Sequence, residues 1–170
     1  GGVVGTVMSN LGWEQALKEL SVPFLRAQVG DRHIMEALHQ RQWVLGGEPS
    51  GHILTLDLCS TGDAIVAGLQ VLLAMQEADV SLHDLASGLI KTPQVLVNVV
   101  VNSPAEISRH PDMLKATADY EHELADRGRI LVRPSGTEPL LRIMVEGEDE
   151  SEITRIAADL ADHAKSIEVA

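Results

Sequence analysis

The run Val95-Leu96-Val97-Asn98-Val99-Val100-Val101 limits this chain's folding choices more than any other segment. Valine loses rotamer freedom in a helix and packs well on a pleated surface, so the run is predicted as a strand. It follows Lys91-Thr92-Pro93, a predicted linker, because proline disfavours helix for the residue before it. The texture differs on either side of that break. Upstream, short β-branched segments alternate with helical periodicities, which predicts an α/β domain over residues 1–90, a mixed sheet with flanking helices. Downstream, the order strand-helix-strand-strand-helix predicts an α+β domain over residues 91–170, an antiparallel sheet with two helices on one face.

Within the first unit, helices are predicted near 13–20, from Asp31 to Gln40, from about Ser60 to Glu77, and near 81–88. The third is apolar on most sides (Ile65, Val66, Leu69, Val71, Leu72, Leu73, Met75) and is therefore expected to be buried. Ser60 and Asp63 have capping-box-like spacing at its start. In the second unit, Pro111 suits a first helical turn, and Met113, Thr117, Tyr120 and Leu124 share a face. A last helix, capped by Asp149 and Glu152, carries Ile153, Ile156, Leu160 and Ala164.

The core must be aliphatic, because Trp13, Phe24, Trp43 and Tyr120 are the chain's only aromatic residues. Twenty-five acidic residues against thirteen basic ones give a net charge of -12. Such a surface repels nucleic acid and anionic membranes, so neither is an expected partner. An anionic ligand must meet a local cluster of donors. Cys59 is the lone cysteine, which excludes an internal disulfide and fits a reducing, cytoplasmic setting. No apolar run approaches a membrane span. The opening Gly1-Gly2-Val3-Val4-Gly5-Thr6-Val7 enters a strand without a polar lead-in, as a piece of a longer protein would.

Three segments stand out chemically. Arg133-Pro134-Ser135-Gly136-Thr137-Glu138 joins two β-rich stretches. Its arginine fork, hydroxyls and glycine-exposed amides are what phosphate recognition uses, and Arg142 on the next strand could add charge. The same residues also suit an ordinary hairpin turn. Gly46-Gly47-Glu48-Pro49-Ser50-Gly51-His52 displays a carboxylate and a hydroxyl among glycines. A carboxylate accepts well from paired sugar hydroxyls, although a plain hairpin with a solvated Glu48 fits too. Gly30-Asp31-Arg32-His33 begins a helix, where Asp31 could simply cap. The histidines are scattered, no metal-ligand spacing occurs, and no serine sits in a nucleophile elbow. Catalytic and metal-ligating residues are therefore both expected to be missing from this chain.

Together these motifs resemble the α-D-phosphohexomutase superfamily, in order and along the whole chain. Val4-Gly5-Thr6-Val7-Met8-Ser9-Asn10-Leu11-Gly12 resembles the opening of its third domain, and Val29-Gly30-Asp31-Arg32 the next loop. The Glu48 segment resembles its sugar-binding loop. Thr61-Gly62-Asp63-Ala64-Ile65 resembles the helix start that follows, with Ala64 where glycine is commoner. Arg133 to Pro139 resembles the phosphate loop of the fourth domain. The resemblance implies a domain-3-like α/β unit and a TBP-like α+β unit. It implies that Glu48, Ser50, Asp31 and Arg32 serve the sugar, and that Arg133, Ser135, Gly136, Thr137 and Arg142 serve a phosphate.

The features favour the bacterial branch that interconverts glucosamine 6-phosphate and glucosamine 1-phosphate for UDP-N-acetylglucosamine and cell-wall synthesis. That branch uses a phosphoserine, Mg2+ and a glucosamine 1,6-bisphosphate intermediate. The nucleophile segment Thr-Ala-Ser-His-Asn-Pro and the metal loop Asp-Gly-Asp-Gly-Asp-Arg do not occur here. The expected partners are thus a phosphosugar, domains 1 and 2 of a parent chain, and a second copy in a homodimer of that parent. The 170 residues alone are expected to be inactive. The alternatives are a phosphomannomutase or phosphoglucomutase fragment, and a non-catalytic sugar-phosphate binding module.

Overall fold

The computed structural model describes residues 1–136 and 138–169, and its chain divides into two compact units, Gly1–Lys91 and Thr92–Ala170. The first holds a four-stranded sheet of β1 (Val3–Thr6), β2 (Phe24–Ala27), β3 (Leu45–Gly47) and β4 (Ile53–Thr55) in the order β2-β1-β3-β4. β1 pairs in parallel with β2 and β3, and β3 turns back antiparallel onto β4. Helices α1 (Leu11–Glu19), α2 (Asp31–Arg41), α3 (Ala64–Ala78) and α4 (Leu82–Ser87) complete the unit. Parallel neighbours need crossovers, and α1 and α2 supply them.

α2 seats the core of this unit. Ile34 and Leu38, four residues apart on one helical face, are fully buried with Val4 and Leu54 of the sheet. Full burial of one such aliphatic side chain contributes roughly 1.5–3 kcal/mol. Arg26 ties the other edge. Its guanidinium donates to the Glu14 carboxylate and to the Thr6 and Ser9 carbonyls, and lies over the Phe24 ring.

The second unit is an antiparallel sheet of β5 (Gln94–Val100), β6 (Gly128–Pro134) and β7 (Leu140–Gly147) in the order β5-β7-β6. α5 (Pro104–Ile107), α6 (Pro111–Leu124) and α7 (Glu150–Val169) accompany it. Strand alternation sends Leu141, Ile143 and Val145 to the helix side, where Ile153, Ile156, Leu160 and Ala164 of α7 are likewise fully buried. Every buried apolar residue described in either unit is Val, Leu, Ile, Ala or Met, as the scarcity of aromatics requires.

Several local expectations need correction. α3 is not buried: Ile65, Leu69, Leu72 and Leu73 are exposed, and Ala67 is its one buried residue among those described. Its cap is Asp63 alone, accepting from the Ile65 and Val66 amides. Asp31 is not a cap either. Gly30 occupies that position, and Asp31 stands first in the helix, accepting from the Arg32 amide. Asp149 does cap α7 through the Ser151 and Glu152 amides, but the Glu152 side chain pairs with Arg127 instead. The 91–93 segment is tied down, since Thr92 is buried and the Pro93 carbonyl accepts from Gly147.

Candidate functional site

Two clusters hold the sequence-predicted residues, one in each unit. The first is built on the β3–β4 hairpin and the start of α2. Glu48 N–H donates to the His52 carbonyl at 2.9 Å and Gly51 N–H to the Glu48 carbonyl at 3.0 Å, which closes the tip. From there the Glu48 carboxylate reaches the Gly30 amide at 2.8 Å, eighteen residues back along the chain. Gly30 has φ +119, a conformation that strains any side chain, so the loop needs glycine to aim that amide outward. The amide belongs to the positive end of α2, where a carboxylate is stabilised.

His52 joins this cluster. Its Nε2 is 3.7 Å from an Asp31 carboxylate oxygen and is buried with no hydrogen-bond partner among the described residues. Gly62 closes over the ring: a Cβ there would lie 2.2 Å from Nε2. The structure thus gathers the Gly30, Glu48 and Thr61-Gly62-Asp63 segments around one imidazole. Ser50 and Arg32 remain exposed, and no described hydrogen bond joins either side chain to the cluster. The arrangement can offer acceptors to hydroxyl groups, with Glu48 half-buried and already oriented by one bond.

The second cluster lies at one end of the antiparallel sheet. β6 runs on through Arg133 and Pro134, so these are strand residues and not loop residues as expected. β6 is an edge strand, which tolerates a proline that cannot donate. The turn proper is short: Ser135 N–H donates to the Leu140 carbonyl and Leu140 N–H to that of Glu138, both at 2.8 Å. Thr137 lies outside the described residues.

The ladder pairs Arg133 with Arg142, and Arg142 with Asn98 on the far strand. One face therefore carries a row of two guanidiniums and an amide. Glu138 neutralises Arg142 at 3.1 Å, yet the Arg142 Nε is buried without a hydrogen-bond partner. Arg133 has no hydrogen-bonded or ion-paired acceptor among the described residues. Burial first, then the Arg142 charge, lowers its pKa from the usual arginine value. It stays protonated at neutral pH regardless. Such a pair can grip a tetrahedral anion from two sides. Among the described residues, no group of three or more His, Cys, Asp or Glu could hold a metal ion, so they do not fit a Mg2+ site. Nor is any described helix long and apolar enough to cross a membrane.

A mixed α/β unit followed by an antiparallel unit with packed helices is the architecture of the last two domains of phosphohexomutases. Residues 1–92 match the model for phosphoglucomutase/phosphomannomutase, alpha/beta/alpha domain III, and residues 96–163 match that for the C-terminal domain. The chain belongs to the phosphoglucomutase/phosphomannomutase family. It is 54% identical over 168 residues to phosphoglucosamine mutase of Salmonella paratyphi A (strain ATCC 9150 / SARB42). It is 53% identical to that of Salmonella newport (strain SL254). Each match covers 98% of this chain but 38% of the relative, so the chain spans well under half of their length.

Among solved structures, Aspergillus fumigatus N-acetylphosphoglucosamine mutase superposes with a TM-score of 0.82 at 20% identity, over 98% of this chain and 38% of that one. The same enzyme in complex with GlcNAc-6P and magnesium gives 0.72 at 21%, over 95% and 40%. A Burkholderia thailandensis phosphoglucomutase/phosphomannomutase family protein gives 0.75 at 21%, over 96% and 38%. At these identities the likeness is one of fold alone.

His52 and Gly62 escaped the sequence reading as site residues, although both stand inside motifs it singled out. Asn98 escaped it as well. Only the strand register reveals that Asn98 lies beside Arg142.

Proposed function

We propose that this chain is the substrate-gripping, carboxy-terminal part of a phosphoglucosamine mutase, which interconverts glucosamine 6-phosphate and glucosamine 1-phosphate. The observation that carries the proposal is the Arg133–Arg142 pair, two adjacent cations on one strand ladder in a chain of net charge -12. The 54% identity to Salmonella phosphoglucosamine mutase supports the choice of sugar.

In this reading the unit over 1–90 holds the sugar and the unit over 91–170 holds the phosphate that is not reacting. Arg133 and Arg142 bind that phosphate, helped by the Ser135 and Gly136 segment and by Thr137. Each hydrogen bond to a charged group adds roughly 1.5–3 kcal/mol net. Glu48, with Asp31, Arg32 and Ser50 around it, orients the hydroxyls. Catalysis of this kind rests on positioning and charge neutralisation, and fixed strand residues suit both. The phosphoserine and Mg2+ ligands belong to polypeptide outside these 170 residues, which act with upstream domains on glucosamine 1,6-bisphosphate. The parent enzyme is cytoplasmic, where sugar phosphates are made and used.

Assay of the longer polypeptide on glucosamine, mannose and glucose 6-phosphates tests this. Turnover should be highest for glucosamine 6-phosphate and should vanish for the 170-residue chain alone. A preference for mannose or glucose 6-phosphate would transfer the chain to another mutase of the family. No turnover by the longer polypeptide would leave a binding module.

A further inference from the structure

α3 is turned inside out with respect to the unit that carries it. Of its fifteen residues only Glu77 is charged. A helix so apolar belongs in an interior. Yet, packed beside β4 and α4, it buries only Ala67, half-buries Val66, Gln70 and Met75, and leaves most of its large aliphatics exposed. Ile65 is 76% exposed, Leu69 58%, Leu72 59% and Leu73 45%. Steps of four and three put Ile65, Leu69 and Leu72 on a single stripe, which Leu73 borders. Leu82 and Leu85 of α4 are exposed as well.

Gly68 adds an independent observation. It sits beside Ile65, Leu69 and Leu72 in the helix interior, where glycine is less favourable than alanine. Nothing lies within 4 Å of the position its Cβ would take, so no contact in this unit demands glycine. A small residue on an apolar stripe lets another backbone approach closely.

The relatives supply the candidate occupant. They match 98% of this chain yet are covered over only 38% of their own length, so most of such a polypeptide lies outside it. The matched models are the third domain and the C-terminal one, which puts the remainder upstream. We infer that the outward stripe of α3, with Gly68 along its edge, is the seat on which the amino-terminal part of the longer mutase chain packs. This rests on the proposed function only in taking the chain as part of a longer phosphohexomutase, and not on the sugar.

The test compares Leu69→Glu/Leu72→Glu in two proteins, the 170-residue chain and the longer polypeptide. In the short chain both side chains already meet water, so the thermal midpoint should stay within about 2 °C of its parent. In the longer polypeptide it should fall by about 5 °C or more as two charges enter a packed contact. Gly68→Ala is the milder second variant. It should raise the midpoint of the short chain through helix propensity and lower that of the longer one by crowding the contact. An equal fall of the glutamate variant in both proteins would assign the stripe to a contact within this chain and overturn the inference. No fall in either would overturn it too. A short chain that sediments as a dimer, and as a monomer once substituted, with the longer polypeptide unaffected, would give the stripe to a second copy. Turnover of each 6-phosphate by the longer polypeptide, measured on the same samples, judges the sugar separately.

Discussion

Arg133 and Arg142 stand directly opposite each other on neighbouring antiparallel strands, in register and on one face of the sheet. Like charges so placed are destabilising. Glu138 answers only one of them, at 3.1 Å from Arg142. In the function proposed above, the substrate phosphate is the anion that offsets this repulsion.

Removal of Arg133 should therefore separate stability from binding. In the longer enzyme, Arg133→Ala should raise the KM for glucosamine 6-phosphate about tenfold to a hundredfold, the loss of one or two charged hydrogen bonds. The thermal midpoint of the same variant should hold or rise slightly at low salt, because the repulsion is gone. Steady-state kinetics and a melting curve on one preparation check both. A lowered midpoint with unchanged KM would make Arg133 a structural residue.

Glu48→Ala should free the Gly30 amide and loosen the joint between the β3–β4 hairpin and α2. Sugar affinity should weaken by about 1–3 kcal/mol, the cost of one orphaned polar group. Inorganic phosphate should bind as before, since Arg133 is untouched. Competition of phosphate against substrate measures the two affinities independently.

Arg129 and Glu146 form the sharpest stability test. Glu146 is fully buried and accepts from Arg129 at 2.6 Å. Arg129→Met takes a guanidinium away from a buried carboxylate and should cost about 3–5 kcal/mol. Arg129→Met with Glu146→Leu should recover most of that, because the pair is replaced by apolar groups of similar size. Urea unfolding of the wild type and three variants completes the cycle.

α7 should loosen at its start in acid. The Ser151 hydroxyl first, then the Glu152 and Ser151 amides, hold the Asp149 carboxyl below its ordinary value. A depressed carboxyl stabilises the fold above the ordinary aspartate pKa and loses that contribution as pH falls through its folded value. Protection of the Ser151 and Glu152 amides, taken relative to their intrinsic exchange rates at each pH, should therefore fall below the ordinary aspartate range. Asp149→Asn, which keeps the shape but does not titrate, should flatten that dependence.

The sequence was most legible where a side-chain period met a buried face. Ile34 and Leu38, or Ile153, Ile156 and Leu160, are the residues that helical spacing selects, and all are fully buried. The two-unit architecture followed from the valine run and the proline before it. α3 defeated the same rule, because composition says only that a surface wants covering and not what covers it. Turn-forming residues from Pro134 to Thr137 predict a connection that includes Arg133, whereas an edge strand accommodates Pro134 and keeps Arg133 in the ladder. His52 and Asn98 depended on a hairpin tip and a strand register, which residue spacing does not encode.

Phosphate binding at the arginine pair can be read residue by residue in solution. Glucosamine 6-phosphate is titrated into the nitrogen-15-labelled 170-residue chain, and amide and arginine side-chain resonances are followed. Ser135, Gly136 and the Arg133 and Arg142 guanidinium signals should move together and saturate. Glucosamine without phosphate should leave them still, and Arg133→Ala should abolish the response. Equal shifts in the Arg133→Ala chain, or the same shifts with unphosphorylated glucosamine, would contradict a phosphate grip at this pair.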